Sequence, residues 1–151
     1  MSPLRQYLTL RGVAMLSVAL VLSVLAAIVS AQGRETFKAR LTSLPVDAIT
    51  APTMTGSGTV TADLDGRTLN VGGEFKGLTS PATAAYIYRA PKGLRGAKVF
   101  DLTVTKEVSG TIAGKLTLSD TQVADLKESR YYVQLHTEAN ADGQLRGWLL
   151  K

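Results

Sequence analysis

His136 is the chain's only histidine, and there is no cysteine. Imidazole is a frequent ligand of zinc and copper, but useful sites take three or four ligands, and no thiolate is available here to complete one. Tyr86 and Tyr88 stand two residues apart, so a strand would carry both on one face. Their phenols could join His136 only as phenolates, against an ordinary pKa of about 10. His136 is therefore the single candidate metal ligand, and no cofactor is expected. The competing reading has its ring hydrogen-bonded to a neighbouring turn, with both tyrosines packed and their hydroxyls at the surface.

Other reactive groupings are fragments. Asp63, Asp65 and Gly66, like Asn140, Asp142 and Gly143, resemble pieces of calcium loops but lack the closing Glu. They also fit ordinary hairpin chemistry. A hydrolytic triad would have to combine a Ser or Thr with His136 and an acid such as Asp101 or Glu138, and no nucleophile elbow is present. Gly93 and Gly96 lack the Lys-Ser/Thr of a phosphate loop. The inventory reads as no enzyme. A different chemistry lies in residues 89–98, where Arg89, Lys92, Arg95 and Lys98 follow Tyr86 and Tyr88. Such a basic, aromatic patch suits an acidic polysaccharide, lipid headgroups or an acidic protein surface; the alternative is a solvated loop. Arg146 falls in the middle of an apolar stretch and calls for an acid that sequence does not name.

The formal charge of the 151 residues is +5, but the basic residues are scattered, and a basic pI alone does not argue for nucleic acid. Arg5 and Arg11 precede or open a 17-residue uncharged apolar run over residues 13–29, followed by Val29-Ser30-Ala31-Gln32. A positive start, an apolar run and small residues before Gln32 predict an export signal cleaved after Ala31. An uncleaved anchor is the alternative, since the run reaches the lower end of what spans a bilayer. Either way the rest of the chain faces the periplasm or the extracellular space. The membrane would be a partner only through residues 13–29, if they are retained. The division is thus 1–31, signal peptide or anchor, and 32–151, one domain of 120 residues with 15 basic against 12 acidic side chains. That length buries a core without staples.

Beyond Gln32 the pattern turns to alternation. Phe37, Ala39 and Leu41 alternate with Lys38 and Arg40 and predict a strand running toward Pro45. Val60, Ala62 and Leu64 predict a second, and Asp65-Gly66 supplies the positive φ angles of a tight hairpin. Leu69, Val71, Gly73 and Phe75 return the chain, with Gly72-Gly73 marking a bulge or a close backbone approach. Residues 85–89, 99–104 and 111–118 read as further strands. Ser119 and Gln122 form a capping box for a brief helix over residues 120–127. Residues 131–136 and 145–149 are the last strands, joined through Asn140-Ala141-Asp142-Gly143. Seven or eight short strands and one short helix predict an all-β domain, an antiparallel Greek-key or immunoglobulin-like β-sandwich.

The closing stretch Tyr131-Tyr132-Val133-Gln134-Leu135-His136-Thr137-Glu138-Ala139-Asn140-Ala141-Asp142-Gly143-Gln144-Leu145-Arg146-Gly147-Trp148-Leu149 resembles the signature of the CHRD (chordin-type) domain. Ala85-Tyr86-Ile87-Tyr88 through Gly96, then Val99-Phe100-Asp101-Leu102, resembles that family's middle motif, and the likeness extends back to Thr36. The resemblance implies a compact β-sandwich of the general shape of copper/zinc superoxide dismutase, with His136, Thr137, Asn140, Gly143, Arg146 and Gly147 as motif residues. Where the family commonly has Ala-His-Ile-His, this chain carries Tyr86 and Tyr88. The expectation is a non-catalytic binding or structural module of the envelope or extracellular space. Its partner would be a protein or a polysaccharide rather than nucleic acid, met through Tyr86, Tyr88, Arg89, Lys92 and Arg95. The alternatives are a periplasmic copper-binding protein with a reduced ligand set and a degenerate dismutase-like enzyme.

Overall fold

A computed structural model describes residues 33–45, 48–49 and 51–151; the predicted export segment lies outside the described residues. Among the described residues no helix is long and apolar enough to cross a membrane. Eight strands and one helix follow in order: β1 (Glu35–Ser43), β2 (Ser57–Asp65), β3 (Thr68–Lys76), β4 (Ala82–Arg89), β5 (Ala97–Val104), β6 (Gly110–Thr117), α1 (Asp120–Lys127), β7 (Tyr131–Thr137) and β8 (Leu145–Trp148).

Alternation places one face of each strand inward. Phe37, Ala39 and Leu41 of β1, Val60, Ala62 and Leu64 of β2, and Leu69, Val71 and Phe75 of β3 are all buried. The β2–β3 hairpin turns on Gly66 alone, at φ +61. A positive φ confined to the first central residue makes this a turn of the II′ kind. Register between β2 and β3 runs unbroken past Gly72 and Gly73, so the glycine pair forms no bulge. It serves a close approach: a Cβ on Gly73 would stand 2.4 Å from the Thr59 carbonyl oxygen. The register shifts fall in β4 instead, between Ile87 and Tyr88 against β5 and between Ala82 and Ala84 against β7.

The strands close into one barrel, in the order β1-β2-β3-β6-β5-β4-β7-β8, and all pairs are antiparallel. This corrects the expected immunoglobulin-like sandwich. β1 pairs with β2 along Glu35 to Leu41, then with β8 at Thr42 and Ser43. β5 likewise pairs with β4 and, at Thr103 and Val104, with β6. Each of these strands is shared between two sheets, so neither sheet keeps a free edge there, and closure removes the unpaired edge groups that an open sandwich must protect. The Greek-key expectation stands, because β7 lies beside β4, the first strand of the β4-β5-β6 meander.

Helix α1 begins at Ser119, whose side chain accepts from the Gln122 amide while the Gln122 side chain accepts from the Ser119 amide. It joins the core through Leu126, which is fully buried with Leu118 and Tyr131. Arg89 at the end of β4 grips its other buried residue: Nε donates to Asp125 Oδ2 at 2.6 Å and Nη2 to Oδ1 at 2.9 Å. Those hydrogen bonds, then the charge of Arg89 and of Arg130, hold the Asp125 carboxyl below its ordinary value, against the opposing effect of burial. Glu35 is lowered in the same direction by hydrogen bonds from Lys127 and Lys151. A carboxylate depressed in the folded state adds stability above its unfolded pKa, about 4, and loses it as pH falls through the folded value. Unfolding midpoints are thus expected to drop as pH is lowered below about 4. Asp125→Asn should be less stable at neutral pH and show a shallower acid limb. Denaturant melts across that window check this, and parallel acid limbs would count against the pairing.

Candidate functional site

β7 is buried along its whole length, on both faces. Tyr131, Val133 and Leu135 point into the core, as alternation requires. Tyr132, Gln134 and His136 point outward and would ordinarily be solvated, yet they are 1%, 4% and 7% exposed. What covers them comes from the neighbouring strands. β4 sets Tyr86 opposite Gln134 and Tyr88 opposite Tyr132, and β8 sets Arg146 opposite Gln134 and Trp148 opposite Tyr132. The covering is incomplete. It leaves a cleft of about 460 Å³ lined by Tyr86, Tyr88, Arg95, Gln134, His136 and Arg146 together with flanking residues.

Two side chains organise the cleft. The Ala141 carbonyl lies 2.8 Å from His136 Nδ1 and can only accept, so Nδ1 carries the hydrogen. Nε2 is then the acceptor for the Tyr88 hydroxyl at 3.0 Å, with the Gln134 amide nitrogen 3.4 Å away. Burial, then the neighbouring Tyr132 and Tyr86, push the Tyr88 phenol up from its ordinary value, which keeps it protonated as that donor. Gln134 is the second organiser. Its Oε1 accepts from Arg146 Nε at 2.9 Å and Nη2 at 2.6 Å, and its Nε2 donates to the Asp142 carbonyl at 2.9 Å. The partner of Arg146 is therefore an amide rather than the acid its position called for.

Aromatic rings complete the floor. Tyr88 stacks on Tyr132 at 5.1 Å with the planes 5° apart, and Trp148 meets Tyr132 at 4.7 Å. The Arg146 guanidinium lies 4.7 Å from the Tyr132 ring centre, a cation–π distance. The Tyr132 hydroxyl accepts from the Gly96 amide at 3.1 Å, which ties the basic loop to β7. Tyr86 packs against the His136 ring at 5.3 Å, and Lys98, held by Asp101 at 3.0 Å, sits 4.5 Å above Tyr86.

A buried polar frame holds the turn that supplies Ala141 and Asp142. The fully buried Gln144 amide donates to the carbonyls of Thr53 and Thr55, at 2.9 and 2.6 Å. Its oxygen accepts from Asn140 Nδ2 at 2.5 Å and from the Thr137 hydroxyl at 3.3 Å. Gly143, at φ +129, leaves room for Gln134, whose amide nitrogen would stand 2.4 Å from a Cβ there.

The structure thus gathers Tyr86, Tyr88, Arg95, His136 and Arg146 in one cleft. Arg89 is committed to Asp125, and the exposed Lys92 does not line the cleft. Thr137, Asn140, Gly143 and Gly147 build the frame. Sequence reasoning passed over Tyr132, Gln134, Gln144 and Trp148. The available signal was that β7 carries no charged residue on either face, as expected of a strand that is covered twice. Tyr88 already occupies Nε2 of His136, and among the described residues no three His, Cys, Asp or Glu side chains gather where they could hold a metal ion.

No curated protein and no solved structure matches this chain. The family model of the CHRD domain matches residues 37–149, from the first inward side chain of β1 to the buried Leu149 beyond β8, and the chain belongs to the CHRD domain family.

Proposed function

We propose that the chain is an exported, non-catalytic binding module of the cell envelope or extracellular space, acting through the outer cleft of β4, β7 and β8. The observation that carries this reading is the covering of β7 on its solvent side by side chains that stop short of closing. A face that only had to stay soluble would carry charges there. This one carries stacked rings and a bonded amide, leaving a concavity in the usual size range of small-ligand sites, about 300–1,000 Å³. Export is supported by the basic start and apolar run of residues 1–31. The absence of catalysis is supported by His136, whose two nitrogens are engaged by Ala141 and Tyr88 and by no serine or threonine hydroxyl.

A copper-binding role would require Tyr88 to leave Nε2, and no described cluster offers further ligands. Three measurements test the reading. Mass spectrometry of the processed chain should find Gln32 at the N-terminus; an intact Met1 would mean a retained anchor. Tyr86→Ala on the cleft rim should weaken binding of the partner about tenfold or more while leaving the melting temperature close to wild type. Turnover of a hydrolase or oxidoreductase substrate, or tight copper(II) binding, lost in His136→Ala, would overturn the non-catalytic reading or the metal-free one respectively.

A further inference from the structure

We infer that the cleft recognises the carboxylate of a uronic-acid residue, the acidic sugar unit of an anionic polysaccharide; this rests on the cleft being the binding site. The guanidinium of Arg146 has two forks. The side fork, Nε with Nη2, is spent on the single oxygen of Gln134. The end fork, Nη1 with the second hydrogen of Nη2, has no acceptor among the described residues, and no carboxylate pairs with Arg146. A half-buried cation with one free fork presents two parallel N–H groups, the geometry that a carboxylate accepts bidentately. Gln134 also fixes the plane of that fork, because it is itself anchored on the Asp142 carbonyl.

The rest of the cleft matches a sugar ring better than a bare anion. Tyr86 stands half-buried at the rim, and half-buried Tyr88, backed by the buried Tyr132, lies in the floor, so these two rings give apolar surface for the C–H side of a pyranose. Arg95 lines the same cleft and has no ion pair among the described residues. Asp142 lines it too, so two cations face one carboxylate, and the balance still favours an anion. The cleft volume of about 460 Å³ suits one or two sugar units, whereas a stable protein partner would need a patch of about 800 Å² per side.

The test uses the full chain in mild detergent and three probes: galacturonic acid, its trimer, and the fully methyl-esterified trimer, which keeps the rings and removes the charge. Trp148 is the chain's only tryptophan and touches Tyr132, so its emission reports on the cleft. The acidic trimer should bind, weaken as salt is raised, and bind about tenfold or more tightly than the ester. Arg146→Gln should abolish that preference. Arg95→Gln, an exposed loop change that spares the fold, should reduce the affinity for the acidic trimer about threefold. A trimer tighter than the monomer identifies a polysaccharide as the source; equal affinities identify the free sugar acid. No binding, or equal binding of acid and ester, overturns the carboxylate assignment while leaving the cleft as a site for a neutral ligand. Acid-selective binding unmoved by Arg146→Gln, Arg95→Gln and Tyr86→Ala overturns the cleft itself.

Discussion

Gln144→Leu is expected to destabilise the barrel by about 3 kcal/mol and to lower its melting temperature by roughly 10 °C. Leucine fills much of the same volume, so the loss comes from polar groups rather than a cavity. Gln144 is wholly buried and makes four hydrogen bonds, two to the carbonyls of Thr53 and Thr55 and two from Asn140 and Thr137. Removing it takes a donor from the half-buried Thr53 and Thr55 carbonyls and an acceptor from the Asn140 amide and the Thr137 hydroxyl, and each bond lost costs about 1 kcal/mol. Thr137→Val removes one spoke of the same network and should cost about 1 kcal/mol. The double variant should lose less than the sum, because both changes disable one unit. Chemical denaturation of the four proteins measures this. Additive losses, or a Gln144→Leu loss under about 1 kcal/mol, would show that the amide is not the hub. The effect should reach the cleft, since the turn that Asn140 anchors carries the Ala141 and Asp142 carbonyls to His136 and Gln134.

Much of this fold was legible in the order of residues. Alternation at Phe37, Ala39 and Leu41, the Ser119–Gln122 box and the Gly66 turn are local signals, and local chemistry decides them. Closure was not legible, because a sandwich and a barrel demand the same inward alternation. The difference lies in whether β1 and β5 change partners midway, and nothing in Thr42, Ser43, Thr103 or Val104 announces it. Gly72 and Gly73 read alike, yet a Cβ on Gly72 would meet nothing within 4 Å while one on Gly73 would strike Thr59. The cleft divides in the same way. Tyr86, Tyr88, His136 and Arg146 stand out as residue types. Gln134 and Gln144 do not, since an amide gains its importance only from the four or so groups that tertiary structure brings to it.

Gly147→Val should open the barrel at one of its two shortest seams. β8 meets β1 in register only at Thr42–Arg146 and Ser43–Leu145, with Lys38 and Leu150 bonded beyond, whereas β1 and β2 are paired along Glu35 to Leu41. A Cβ on Gly147 would stand 2.4 Å from the Arg40 carbonyl oxygen and 2.8 Å from its carbon. These are backbone atoms, so no rotamer change relieves the clash; the strands must separate. The expected loss is about 3 kcal/mol or more. Its signature is local: the Lys38 and Leu150 amides, which bond each other's carbonyls at 2.7 and 2.9 Å, should exchange faster while those between β2 and β3 keep their protection. Gly72→Ala, pointing into open solvent, serves as the control and should gain about 0.5 kcal/mol from reduced chain entropy. Uniformly faster exchange would mean that Gly147 acts on the whole core rather than the seam, and wild-type stability would mean that β8 and β1 do not approach so closely. Because Arg146 and Trp148 flank Gly147, opening the seam also dismantles one wall of the cleft, so ligand binding should fail in this variant even under conditions where β2, β3 and β6 stay folded.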